Sequence, residues 1–182
     1  FGLDVRRAEG FLGSAANREA LSMAIDRQGL MQPFNIGGWV ASTRIVPVAL
    51  STMLVAPTER WAALSLDQRR SEARQRVSRW RSESGEEPEV RLYLPPGPGS
   101  DMMFEGLAAD FAAIGVSATR ADKSSVADLA LRDRVARYAS PRWFLNQFNC
   151  DASARQCSED ADCLVSLALD ARDGTEESSY LY

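Results

Sequence analysis

Between Glu89 and Arg120 the apolar residues change their spacing twice, and this limits the fold more than any other feature of the chain. Glu89 to Leu94 alternates with period two, the pattern of a half-buried strand. Pro95-Pro96-Gly97-Pro98-Gly99 breaks that pattern, and Ser100 is the expected cap of a helix in which Phe104, Leu107, Ala108 and Phe111 recur at helical spacing. Gly115 ends the helix, Val116 to Arg120 returns to strand, and a third strand is expected over Asp128 to Ala136. A strand, a helix and a strand joined through Ile114-Gly115-Val116 form a βαβ-type unit. The class is therefore α/β, a mixed sheet flanked by helices, and an all-helical fold is excluded.

The remaining chain supplies helices and loops. Residues 1 to 16 read as an irregular lead-in. A helix is expected from Asn17, its cap, to Arg27, with Leu21, Ala24 and Ile25 on one face and Gly29 as the stop. Pro33 to Pro57 holds Gly37, Gly38 and Pro47 and reads as extended loop. Ser65 with Gln68 three residues on is a capping box that opens a helix from Leu66 to Arg81, whose apolar stripe is Ala73, Val77 and Trp80. Its other faces carry Arg69, Arg70, Arg74, Arg76, Arg79 and Arg81. Asp67, Glu72 and Glu83 are interspersed and no aromatic alternates with the arginines, so the pattern is that of a solvated face rather than a nucleic-acid groove. A loop from Ser82 to Pro88 follows. Two tail helices are expected, Pro141 to Phe148 and Ser158 to Arg172, the second with a stripe of Leu164, Leu167, Ala168 and Ala171. Thr175 to Tyr182 reads as the start of another.

Composition narrows the chemistry. With no histidine among 182 residues, Ser-His and Cys-His nucleophile activation and His-ligated zinc are excluded. Lys123 is the single lysine, and it sits beside Ser124 and Ser125 in an expected loop with no neighbouring group to activate it. The chain reads as a non-enzyme, without cofactor or metal. A net charge of -4 makes nucleic acid a poor partner, and no apolar run approaches the roughly 18 residues that cross a bilayer. Phe1 is not an initiator Met, which suggests a piece processed or cut from a longer chain.

Several segments, in order, resemble the C-terminal lobe of the family 5 solute-binding proteins, the oligopeptide, dipeptide and nickel receptors of ABC importers. Asn17-Arg-Glu-Ala-Leu-Ser-Met-Ala-Ile-Asp-Arg-Gln-Gly-Leu30 is similar to that family's R-x-A-L-x-x-A-I-D-R-x-x-L helix. Leu107 to Val116 resembles its L-x-x-x-G-I/V entrance to a strand, and Val135 to Asn146 its W-x-A-D-Y-x-D/E-P-x-x-F-L segment. The helix of Asp160 to Asp173 and the Ser-Ser-Tyr-Leu-Tyr end complete the likeness. The resemblance implies that residues 1 to 182 are a single lobe of a type II periplasmic-binding-protein fold. That lobe would be one wall of a cleft closed by an absent N-terminal lobe. It further implies a peptide or other small solute as ligand, a membrane permease as partner, no direct membrane contact and a periplasmic or extracytoplasmic location. The alternative is the ligand-sensing module of a cytoplasmic transcriptional regulator.

The departures from the family bear on the ligand. Counting back from Pro141, Arg134 stands at the family's Trp and Arg137 at the Asp that meets a peptide ammonium group, while Tyr138 is retained. If the two arginines face the cleft, their planar forks suit a carboxylate, a phosphate or sugar hydroxyls; the competing reading has them solvated or paired with carboxylates such as Asp133. Trp39, Tyr138 and Trp143 are candidate apolar walls, although each aromatic alone is more often core than ligand platform. An extracytoplasmic setting permits a disulfide. Cys150 and Cys157 flank the loop between the tail helices and are the expected pair, Cys150 with Cys163 is the second choice, and Cys163 beside the apolar stripe reads as a buried thiol.

Overall fold

Val90 and Leu92 are fully buried on alternate positions of a strand, and this period-two burial anchors the sheet. The computed structural model describes residues 1–50, 58–152, 157–172 and 174–181. Two compact units are present, the first made of Phe1–Ala41 and Arg60–Asp133, the second of Ser42–Glu59 and Arg134–Tyr182.

The first unit carries the sheet. Its strands are β1 (Gly2–Val5), β2 (Glu89–Tyr93), β3 (Ser117–Arg120) and β4 (Leu129–Arg132), in the order β1-β4-β2-β3. β2 runs parallel to both β3 and β4, and β1 closes the other edge antiparallel to β4. The three expected strands thus share one mixed sheet. β1 lies where an irregular lead-in was expected: it is four residues long, and its partner is more than 120 residues away. The third strand stops at Arg132 instead of reaching Ala136, because β1 offers only the four partners Gly2 to Val5. Asp128, expected inside it, instead receives the Arg91 amide and both ends of the Arg91 fork.

Helices α1 (Ala15–Ala24), α2 (Arg27–Met31), α3 (Leu66–Ser84) and α4 (Pro98–Ala112) complete this unit. Asn17 is no cap: it is buried inside α1 and its Nδ2 donates to the Phe11 carbonyl at 2.8 Å. Gly29 does not stop the helix either. The chain breaks at Ile25 and resumes as α2, whose cap Asp26 accepts from the Gly29 amide; a Cβ on Gly29 would lie 2.5 Å from that carboxylate. α3 opens with the expected capping box and runs three residues further than expected, to the left-handed Gly85. α4 starts two residues before Ser100, with Pro98 at its first position, following Gly97 at φ 144°, a backbone open to glycine alone.

The arginines of α3 are not simply solvated. Arg76 binds Glu19 of α1 and Glu72, each at 2.5 Å. Arg70 reaches the Ala24 carbonyl at 3.1 Å and Asp110 of α4 at 2.5 Å, and Arg74 donates to the Ala113 carbonyl. Arg69 lies over the Trp61 ring. These contacts tie α3 to its neighbours around a core that includes Met23, Val77, Leu92, Phe111, Ile114 and Val116.

The second unit holds α5 (Pro141–Leu145), α6 (Glu159–Leu167) and α7 (Gly174–Leu181). The first tail helix becomes a 3-10 turn at Asn146–Phe148, and α6 ends five residues before Arg172. Only Ala168 of the expected stripe is buried, while Leu164 and Leu167 are exposed.

Candidate ligand-binding site

In open sheets with parallel strands, ligands bind beyond the carboxyl ends of those strands. In the first unit those ends are marked by Tyr93, Arg120 and Arg132. β1 is antiparallel to β4, so Phe1, just before it, lies at the same end as Arg132, with which Gly2 is in register. The loop after β2 feeds the first turn of α4 there. Gly99 in that turn has no Cβ, and one placed there would lie 3.3 Å from Phe34, so the ring packs against the helix start. Trp39 meets Phe34 at 5.4 Å and Phe1 at 5.0 Å between ring centroids. These separations are those of interacting aromatic pairs. Phe1 and Val40 remain largely exposed, so the cluster offers open apolar surface beside the end of the sheet.

Charge at this end is internally paired. Arg120 forms an ion pair with Asp101 of α4 and lies over the Phe104 ring. Arg132 binds Asp4 at 2.8 Å. Sequence reasoning singled out Trp39 but not Phe1 or Phe34. The Gly-Pro run before α4 was the one available signal for a close approach there.

The other expected residues lie in the second unit. Arg134, Arg137 and Tyr138 occupy irregular chain between β4 and α5, and all three are exposed. Neither guanidinium forms an ion pair with a carboxylate among the described residues, Asp133 included. Ser140 caps α5 through the Arg142 amide, and Trp143 on that helix stands edge-on to Phe144 at 5.0 Å. Cys150 and Cys157 form a disulfide, with Cα atoms 5.1 Å apart. Cys163 is exposed rather than buried, because α6 has no buried residue to shelter it. Among the described residues no group of His, Cys, Asp and Glu is arranged to hold a metal.

No family model matches the chain, and no curated protein does. Solved structures do match. Over 98% of its length the chain superposes on OppA of Burkholderia pseudomallei with a TM-score of 0.83 at 18% identity. It superposes over the same share on the murein tripeptide binding protein MppA of Escherichia coli with a TM-score of 0.82 at 16% identity. The chain has the fold of the family 5 solute-binding proteins. It spans only 38% of the length of each of these two. A third match, a peptide-binding protein of a peptide ABC transporter, has a TM-score of 0.73 at 17% identity, and this chain covers 87% of it.

Proposed function

We propose that this chain is the ligand-binding lobe of the solute-binding component of an ABC importer, and that it acts by capture and release without covalent chemistry. The observation that carries the reading is the likeness in fold, over 98% of the chain, to proteins that include a murein tripeptide binding protein. The lobe supplies one wall of a cleft, and a lobe N-terminal to it supplies the other. Hinge closure traps a peptide or another small solute, and a permease in the membrane receives it. Such a receptor works outside the cytoplasm, consistent with the Cys150–Cys157 bridge. Among the described residues no helix is long and apolar enough to cross a membrane.

Arg134 and Arg137 shape the choice of solute in this reading. Each is exposed and unpaired with any described carboxylate, so each can take a carboxylate or phosphate on its fork. A free ammonium group meets repulsion there. Tyr138 and Trp143, in the same unit as the two arginines, supply apolar surface for the rest of the ligand, and Trp39 is a separate apolar surface on the first unit.

Calorimetry tests the reading, with short peptides carrying free or acetylated amino termini titrated into two proteins. The first is the 182-residue chain, and the second is the longer protein that joins it to an N-terminal lobe. The longer protein is expected to bind, favouring acetylated peptides, while the chain alone loses affinity about tenfold for every 1.4 kcal/mol of missing contact. Submicromolar binding by the chain alone would contradict the two-lobe cleft. Failure of the longer protein to bind any short peptide would contradict the peptide class.

A further inference from the structure

Three cysteines fall within 14 residues of a chain that has no others, two of them bridged and the third exposed on the helix that follows. We propose that Cys163 exchanges with the Cys150–Cys157 disulfide, so that the bridge moves from the loop before α6 onto the helix and the second unit has two covalent forms. The step balances without an external oxidant. The Cys163 thiolate attacks Sγ of Cys150, a Cys150–Cys163 bond forms, the Cys150–Cys157 bond breaks, and the Cys157 thiolate that leaves takes up the proton.

The geometry brings the groups near one another. The Cys150 amide donates to Asp162 Oδ2 at 2.8 Å, and Asp162 is the residue before Cys163. With standard bond lengths this holds the Cα atoms of Cys150 and Cys163 within about 12 Å. A bridge needs a Cα separation of about 4.4–6.8 Å, so the remaining travel is at most about one helical turn. α6 can yield that turn. None of its nine residues is buried, so opening its first turn exposes no core, and such segments open locally at little cost. The alternative bridge ties Cys150 to the middle of α6 and leaves Cys157 as a thiol, while the present one closes only the loop in front of the helix.

The test is a non-reducing peptide map of the 182-residue chain, held at about pH 8, where thiolate is populated, for about a day and then quenched with acid. Cleavage after Arg155 and before Asp162 places each cysteine on its own peptide. The expected result is two pairings, Cys150–Cys157 and Cys150–Cys163, the minor one at about 1% or more. Cys163→Ser should show the first pairing alone, and Cys157→Ser should form the second within one chain. A single pairing in the unsubstituted chain overturns the proposal even if Cys157→Ser forms its bridge, since reach without exchange is not the mechanism. Cys163 found joined to a second chain overturns it as well.

Discussion

Arg70 and Asp110 join α3 to α4 through a largely buried ion pair, and removing either charge tests whether the α3 arginines hold the first unit together. The two side chains are 21% and 9% exposed, and Asp110 also accepts the Asp26 amide at 2.8 Å. Burial pushes the Asp110 carboxyl above its ordinary 3.8 and outweighs both the Asp26 amide and Arg70. The pair therefore adds little over an apolar pair, but breaking it strands a charge. Arg70→Met leaves the less exposed partner charged and is expected to cost about 4 kcal/mol near neutral pH, including about 1 for the lost bond to the Ala24 carbonyl. Asp110→Asn keeps an acceptor for Asp26 and leaves a guanidinium that water reaches on one side, for about 2 kcal/mol. The double variant removes both charges and should cost about 2–3 kcal/mol, a coupling of about 3–4. A urea titration followed by circular dichroism reads Arg70→Met as a midpoint about 2 M lower. Asp110 without Arg70 has a folded pKa raised further above its unfolded value. Its penalty then grows as pH rises through the folded pKa and vanishes below the unfolded one. An additive cycle, or an Arg70→Met deficit equal at acid and neutral pH, refutes the reasoning.

Glu19 and Asp128 should drive the acid limb of the stability curve. Burial pushes each upward, but Arg76 and Arg60 around Glu19, and the Arg91 fork and amide on Asp128, outweigh it and hold both below their ordinary 4.5 and 3.8. Their contribution is present above those values and lost as pH falls through the folded ones, so Glu19→Gln with Asp128→Asn should flatten stability between about pH 5 and 2, and an unchanged limb would count against it. Phe111→Ala, at a fully buried ring, should cost about 3–5 kcal/mol by thermal or urea unfolding, and less than about 1 would mean the core is not centred there. Gly106→Val should cost about 1–3 kcal/mol, since any Cβ there runs into Leu30 of α2; an unaltered midpoint would show that α2 can move aside. Arg137→Asp in the longer protein proposed above should raise affinity for peptides with free amino termini by about tenfold, 1.4 kcal/mol, and equal affinities in the variant and the unsubstituted protein would remove Arg137 from the proposed site.

Features that depend on neighbours in sequence were legible from the residues alone. The capping box at Ser65 and Gln68, the βαβ unit and the helix stop before Gly115 each rest on contacts spanning a few residues or on a period. β1 was not, because four residues carry no period and their pairing with β4 is decided only when the chain closes. The early end of β4 has the same origin, since β4 extends no further than the partners that the edge strand β1 offers it. Asn17 misled for a related reason. An Asn before an apolar run suits a cap, yet its amide satisfies a carbonyl, Phe11, that only the folded turn brings within reach. The aromatic cluster was legible only as isolated Trp39, because its partners Phe1 and Phe34 are brought to it by β1 and by the glycine at the start of α4.

The arginines show where composition stops being informative and placement takes over. With one lysine in the chain, arginine carries nearly all positive charge and its presence says little. Arg70, Arg74 and Arg76 spend their donors on carbonyls and carboxylates of α1, α3 and α4, where a planar fork can serve two partners at once and an ammonium group would serve fewer. Arg134 and Arg137 meet no described carboxylate although the chain is acidic overall, and they lie in the irregular chain that follows β4 in sequence. An exposed, unpaired guanidinium contributes little to folding, so its removal should leave the unfolding midpoint unchanged. That separates the two classes by measurement: substitutions at Arg70 or Arg76 should move stability, and substitutions at Arg134 or Arg137 should move ligand preference alone. A loss of stability at Arg137 comparable to that at Arg70 would place it among the structural arginines and remove the basis for an anionic solute.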